Sequence, residues 1–215
     1  MLDFKERDIE KIVITNTIKM LNMRGLLSES LEDTIKSTLE QEPINKLYRI
    51  ETRGAKLPLS RRSDSNDETK NGKFHIKIID QKITSFSKTT NIGDFINTYP
   101  NNSISIVLEI QEKTLRELIA TFPNTEVFTI NRLMINIIEH VSIPQHILLS
   151  KEEAISIYAD YLVKKTDMPK INFSDPIARY YNAKIEDVFR IIRPSPTSGK
   201  SIFYRRVVKD LMLHK

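Results

Sequence analysis

The stretch Ile104-Ser-Ile-Val-Leu-Glu-Ile110 restricts the fold more than any other. A nearly unbroken apolar run of this length fits a strand buried on both faces, which other elements must then cover. Its neighbours can do that. Phe74, Ile76 and Ile78 alternate with His75, Lys77 and Ile79, the pattern of a second strand. Between the two, Ile92–Tyr99 fits a short helix ended by Pro100. Glu112–Phe122 fits another, with Leu115, Leu118 and Ile119 on one face. Thr125–Ile130 and Leu133–Ile138 add further apolar segments. Strands alternating with helices predict an α/β layer.

Upstream, Ile9, Ile12, Val13 and Leu21 recur at helical spacing over Asp8–Arg24, with Gly25 as a natural stop. Ser28-Glu-Ser-Leu31 starts a second short helix that Pro43 ends. Thr52–Gly72 lacks periodicity and holds Gly54, Pro58, Arg61-Arg62 and a Ser/Asp/Asn/Glu run, so it reads as an exposed loop. A second unit begins near His140, dividing the chain into 1–139 and 140–215. Ser150 with Glu153 forms a capping box and predicts a helix over Ser150–Lys164. Asp175-Pro176 caps a helix over Ile177–Tyr181, closed by Asn182. Asp187–Arg193 and Ser201–Val208 read as strands joined by a turn-rich connection, Pro194–Lys200. The expected class is α/β (α+β), a larger α/β domain followed by a small one.

Charge separates the two parts. Residues 1–139 carry 20 basic and 20 acidic side chains, residues 140–215 carry 13 and 8, so the whole net charge of +5 sits in the second part. Such a surface meets phosphates or an acidic protein partner, although a merely solvated basic face has the same composition. The absence of Cys excludes a disulfide scaffold, thiol catalysis, thiolate zinc sites and iron–sulfur ligation. The longest apolar runs fall well short of the ~18 residues of a membrane span. Met1–Arg7 mixes charges of both signs, unlike a secretory signal. A soluble intracellular protein is expected.

Catalytic motifs are poorly supported. Thr197-Ser-Gly-Lys-Ser201 resembles the end of a phosphate-binding loop, but Pro194 stands where the first Gly belongs and the following residues read as a strand. His75, His140, His146 and His214 lack zinc-hydrolase spacing. Asp94 and Glu109-Ile-Gln111 loosely echo a magnesium-nuclease pattern, but Gln111 cannot supply the cation that steadies the nucleophile.

From Pro144 onward a series of blocks occurs in order: Pro144-Gln-His146, Leu149-Ser-x-Glu-Glu153, Met168-Pro-Lys-Ile171 and Asp175-Pro-Ile-Ala-Arg-Tyr180. Arg190-Ile-Ile-Arg193, Ser195-x-Thr-Ser-Gly-Lys200 and Phe203-Tyr-Arg205 complete it. This resembles the C-terminal assembly domain of the small common subunit of eukaryotic and archaeal RNA polymerases, the fifth subunit in eukaryotes and its shorter counterpart in archaea. Thr17-Ile-Lys-Met-Leu21, Arg24-Gly25, Glu126-Val-Phe128 and Ile135-Asn-Ile-Ile-Glu-His140 are similar to the N-terminal jaw domain of the eukaryotic form. Asn182 replaces a Gly, Met168 a Leu, Pro196 an acidic residue and Lys200 an Arg, and the 52–72 loop and 209–215 tail match nothing in the family.

The resemblance implies a nuclease-like α/β jaw without activity over 1–139 and an assembly domain over 140–215. It implies a non-catalytic polymerase subunit that docks on the largest subunit and places its jaw near downstream DNA, with no cofactor, metal, membrane or small-molecule substrate. Carried onto this chain, the partner interface falls on His146, Asp175, Pro176, Arg179, Tyr180, Arg190, Arg193, Ser198, Gly199, Lys200, Tyr204 and Arg205. The nucleus is the expected location. Thirty-one Ile and 14 Asn residues fit an AT-rich genome, and a virus-encoded form would act in a cytoplasmic viral factory and the virion.

Alternation along Ser201–Val208 puts Ile202, Tyr204, Arg206 and Val208 on one face, and Ser201, Phe203, Arg205 and Val207 on the other. Apolar bodies beside Arg heads are enriched at protein interfaces. Alternatively, Phe203 and Tyr204 are core and the Arg heads reach water. Arg179 and Tyr180 are expected to face outward from a helix fixed by Asp175-Pro176. An independent nucleic-acid-binding module and a nuclease using Asp94 and Glu109 are the competing readings.

Overall fold

The computed structural model describes residues 6–41, 43–52, 72–84, 90–99, 103–122 and 125–209. The chain separates into two compact units between Ile135 and Asn136. The interior of the expected 52–72 loop, with Arg61-Arg62, and the tail beyond Lys209 lie outside the described residues.

The first unit opens with α1 (Glu6–Met23), whose Ile14, Ile18, Met20 and Leu21 are fully buried. Gly25 follows at φ +70, a left-handed turn that glycine adopts without Cβ strain. Helix α2 (Leu31–Leu39) starts within the expected Ser28–Leu31 segment. Ser30 caps it by accepting from Asp33 N–H, while the Ser28 hydroxyl donates to the Glu51 carbonyl. A strand absent from the expectation follows, β1 (Leu47–Thr52), with Tyr48, Ile50 and Thr52 buried in alternation.

Strand β1 pairs antiparallel with β2 (Gly72–Ile83), which pairs parallel with β3 (Ser103–Ile110). Helix α3 (Thr90–Thr98) makes the β2–β3 crossover, and α4 (Glu112–Thr121) leads from β3 to β4 (Glu126–Thr129), giving the sheet order β1-β2-β3-β4. The two helices close one face of the sheet around Ile79, Phe95, Ile96, Val107, Leu118 and Val127. On the other face Ile76, Ile104 and Ile106 are fully buried, and α1 is tied there by Arg24 to Glu126 and by the Tyr48 hydroxyl to Glu10. Burial, reinforced by the Glu10 carboxylate, pushes the Tyr48 phenol up to about 12. The Ser103, Ser105 and Thr125 hydroxyls are buried without a hydrogen-bond partner among the described residues. The apolar segment after β4 is not a strand: α5 (Ile130–Leu133) ends there, and Ile135 is exposed.

The second unit is built on a sheet of order β5-β7-β8-β6. Its strands are β5 (Gln145–Leu148), β6 (Lys170–Asn172), β7 (Val188–Ser195) and β8 (Gly199–Val208). Helix α6 (Lys151–Asp160) begins with the expected capping box: Ser150 accepts from Glu153 N–H and Glu153 accepts from Ser150 N–H. It stops four residues short of Lys164, because Leu162 turns left-handed at φ 51. Helix α7 (Pro176–Tyr180) has the predicted Asp175 cap and first-turn proline, and Asn182 closes it at φ 51. The β7–β8 connection is tighter than expected. Pro194 pairs with Lys200 and Ser195 with Gly199, leaving only Pro196–Ser198 as the turn. No helix among the described residues is long and apolar enough to cross a membrane.

Candidate docking surface

The β7–β8 ladder fixes which side chains share a face. Ile191 lies opposite Phe203, Arg193 opposite Ser201 and Phe189 opposite Arg205; on the other face Ile192 meets Ile202 and Arg190 meets Tyr204. Near the β5 side the first face is core: Phe189 and Ile191 are buried. Toward the turn it opens, and Phe203 is 46% exposed with the Arg193 guanidinium carbon 5.0 Å from its ring centroid. On the second face Tyr204 packs against the Leu149–Ile157–Met168–Val188 cluster and edge-on to Tyr161 at 5.6 Å, while Ile202 is 54% exposed. The two alternatives for this strand therefore divide by residue: Tyr204 belongs largely to the core, Phe203 to the surface.

The cations here are poorly matched by acids. Arg206 donates to Glu186. By contrast, Arg190, Arg193, Lys200 and Arg205 have no carboxylate partner among the described residues, and the Arg190 Nε is buried without a hydrogen bond. Ser198, Gly199 and Lys200 sit at the exposed tip of the same hairpin. So the structure gathers Arg190, Arg193, Ser198, Gly199, Lys200, Tyr204 and Arg205 on one hairpin. Ile202 and Phe203 complete it as apolar contacts not singled out in the sequence. Part of the signal was in the sequence: from Val188 to Lys209 there is no acidic residue, which marks the hairpin as a cationic surface, whereas the exposure of Ile202 and Phe203 depends on how far the other elements reach.

The remaining predicted residues take other roles. Asp175 uses its carboxylate to accept from Ile177 N–H at 2.9 Å, with Pro176 at the first helical position. Arg179 is half-buried on α7. Tyr180 does not face outward as expected. It is 6% exposed, because this short helix turns Ala178 and Tyr180 inward and sets the Tyr180 ring against Tyr181, which contacts Phe189 in turn. His146 is likewise beneath the surface, at 7% exposure. Its Nδ1 donates to the Pro144 carbonyl at 2.6 Å, its carbonyl accepts from the Tyr181 hydroxyl at 2.8 Å, and its ring meets Phe189 edge-on. Burial lowers its pKa, outweighing the Pro144 hydrogen bond and Asp175, which act the other way.

Elsewhere, Glu109 is held by Lys82 at 2.5 Å and Asp94 is exposed on α3. Among the described residues no group of three or more His, Asp or Glu side chains could hold a metal ion. Lys200 and Ser201 lie in β8 rather than at a helix start, which removes the phosphate-loop geometry.

Comparison with known proteins places a boundary at the same point as the fold. The family "RNA polymerase Rpb5, C-terminal domain" matches residues 135–207. The chain is 31% identical over 201 residues to DNA-directed RNA polymerase subunit 5 of Acanthamoeba polyphaga mimivirus, covering 94% of this chain and 93% of the relative. It is 34% identical over 113 residues to the subunit rpabc1 of DNA-directed RNA polymerases I, II and III of Dictyostelium discoideum, covering 50% and 57%. Against DNA-directed RNA polymerase subunit Rpo5 of Methanothrix thermoacetophila it is 44% identical over 70 residues, 33% of this chain but 90% of the relative.

Proposed function

This chain belongs to the subunit 5 family of DNA-directed RNA polymerases, and from that membership we propose a non-catalytic role in which its C-terminal unit docks on the largest polymerase subunit while its N-terminal unit lies near downstream DNA. That the chain is a subunit of a DNA-directed RNA polymerase follows from the family itself. The observation that carries the docking role is a coincidence of boundaries. The second unit begins at Asn136, the family match begins at 135, and the archaeal relative consists almost wholly of the matching part. A segment that suffices as a whole subunit elsewhere holds what assembly requires. The unmatched cations and exposed Phe203 and Ile202 on the β7–β8 hairpin are the contacts we assign to it. His146, Asp175 and Pro176 then serve by fixing the fold beneath that surface. In this role the chain performs no reaction of its own, the chemistry residing in other subunits. Its place of action in this proposal is the nucleus, or the viral factory and virion if the chain is virus-encoded.

A pull-down of the full chain from native extract tests this, with the two largest polymerase subunits expected in equal amounts. Deleting Ile143–Lys215 should abolish incorporation, and deleting Met1–Glu139 should leave docking largely intact. Recovery of DNA without polymerase would overturn the reading in favour of an independent nucleic-acid-binding module. Arg190, Arg193 and Arg205, which have no carboxylate partner among the described residues, are what favours that second reading. Its signature is duplex binding by the isolated chain that weakens steeply with salt.

A further inference from the structure

We infer that β8 receives an extended, acidic and apolar segment of a partner polymerase subunit, which adds to the sheet along the part of the β8 edge that β6 leaves open. The edge is only partly used. Strand β6 pairs with Arg206, Val207 and Val208, and nothing among the described residues pairs with Gly199–Arg205 on that side. That open stretch is about 20 Å long at strand rise. Backbone direction along it is set by two hydrogen bonds. Arg206 N–H donates outward to the Pro169 carbonyl at 2.8 Å, and Val207 N–H donates inward to the Asp187 carbonyl at 2.8 Å. The ladder to β7 has no register shift, so Ile202 and Tyr204 also turn N–H and C=O outward. Lys200 uses its N–H within the turn, on Ser198.

Proteins usually guard such an edge with inward-pointing charges, a proline or a bulge. Between Ser201 and Tyr204 there is none, and the two exposed apolar side chains flank the edge, Ile202 above and Phe203 below. Charge identifies the occupant. The hairpin offers Arg190, Arg193, Lys200 and Arg205 without an acid among the described residues, so an added strand with alternating acidic and apolar side chains meets cations on both faces. A second copy of this chain would instead bring the same cations against their own kind.

The inference rests on the docking role proposed above, and the test separates the two. Full-length chain is co-expressed with the largest polymerase subunit and recovered as wild type, Ile202→Val and Ile202→Pro. Proline at 202 removes one outward N–H and spares the β7 ladder, a position edge strands tolerate. Wild type and Ile202→Val should recover the partner equally, and Ile202→Pro about tenfold less. Amide exchange at Ile202 and Tyr204 of the wild type, the two residues whose N–H points outward, should slow at least about tenfold on assembly, a measurement that decides alone if Ile202→Pro fails to fold. Full recovery with folded Ile202→Pro, or unchanged exchange at Ile202 and Tyr204, overturns strand addition and leaves the docking role standing. Concentration-dependent protection of Ile202 and Tyr204 in the chain alone assigns the edge to a second copy and also overturns it. Failure of wild type to recover the largest subunit overturns the docking role itself.

Discussion

Arg24 has 1% of its side chain exposed and grips both carboxylate oxygens of Glu126, at 2.7 and 2.9 Å. The pair joins the turn just after α1 to β4, its two partners 102 residues apart in sequence. Removing one partner of a buried ion pair leaves the other charge poorly solvated, so Arg24→Ala should cost about 3 kcal/mol, read as a lowered urea midpoint with unchanged slope. Arg24→Lys should recover part of that loss only, since an ammonium cannot reproduce the two-point grip. Two histidines carry a different sensitivity. Burial, then Arg49 and Lys73, hold the His75 pKa below the usual 6.5, and burial does the same for His146. The folded chain binds these protons less readily than the unfolded one. Stability is therefore full above about pH 6.5 and declines as pH falls through the lowered folded values. Thermal midpoints taken from about pH 7.5 down to about pH 5 should drop, and His75→Gln with His146→Gln should flatten that decline.

At the scale of elements, Ser150 is the clearest single determinant of a helix start. It caps α6, and Ser150→Ala should lower stability by about 1 kcal/mol in thermal melts, the usual worth of an N-cap side chain. That cap was legible because it depends on two residues three apart, and the start of α7 because Asp175 and Pro176 are adjacent; β3 was legible too, although it is buried on both faces only from Ser103 to Val107 and Leu108 is exposed. The failures share a cause too. Strand β1 escaped notice because two of its six residues, Arg49 and Glu51, are charged and face solvent, and the alternation of Tyr48, Ile50 and Thr52 beneath them is short. The end of α6 depends on a left-handed Leu162, a conformation that leucine rarely adopts and no local pattern announces. Tyr180 was misplaced because five residues make little more than one turn, too few for periodicity to tell inside from outside. Of the docking surface, the Arg residues and hairpin tip were legible from sequence. The uncovered edge was not, because it depends on where β6 stops pairing.

For the whole molecule, the distribution of charge matters more than its total. All of the +5 excess falls after residue 139, and among the described residues there the imbalance lies on the β7–β8 hairpin, whose five cations face no acid of its own, whereas the seven cations elsewhere are matched by seven acids. Surface charges of this kind steer encounter more than they hold the complex together. Raising ionic strength from about 0.1 M toward 1 M shortens the screening length from about 10 Å to about 3 Å. Association of the full chain with the largest polymerase subunit, followed by stopped-flow mixing, should slow severalfold over that range. Its dissociation rate should change much less. A dissociation rate rising as steeply as association falls would instead point to ion pairs buried in the formed interface.

The solitary hydroxyls of Ser103, Ser105 and Thr125 bear on how this protein can change over generations. A buried hydroxyl without a partner, as these are among the described residues, is a handicap that alanine lacks, so the β-layer of the N-terminal unit stands below its own ceiling of robustness. Lineages that make such a swap acquire tolerance for harmful substitutions nearby, and that slack lets this unit diverge.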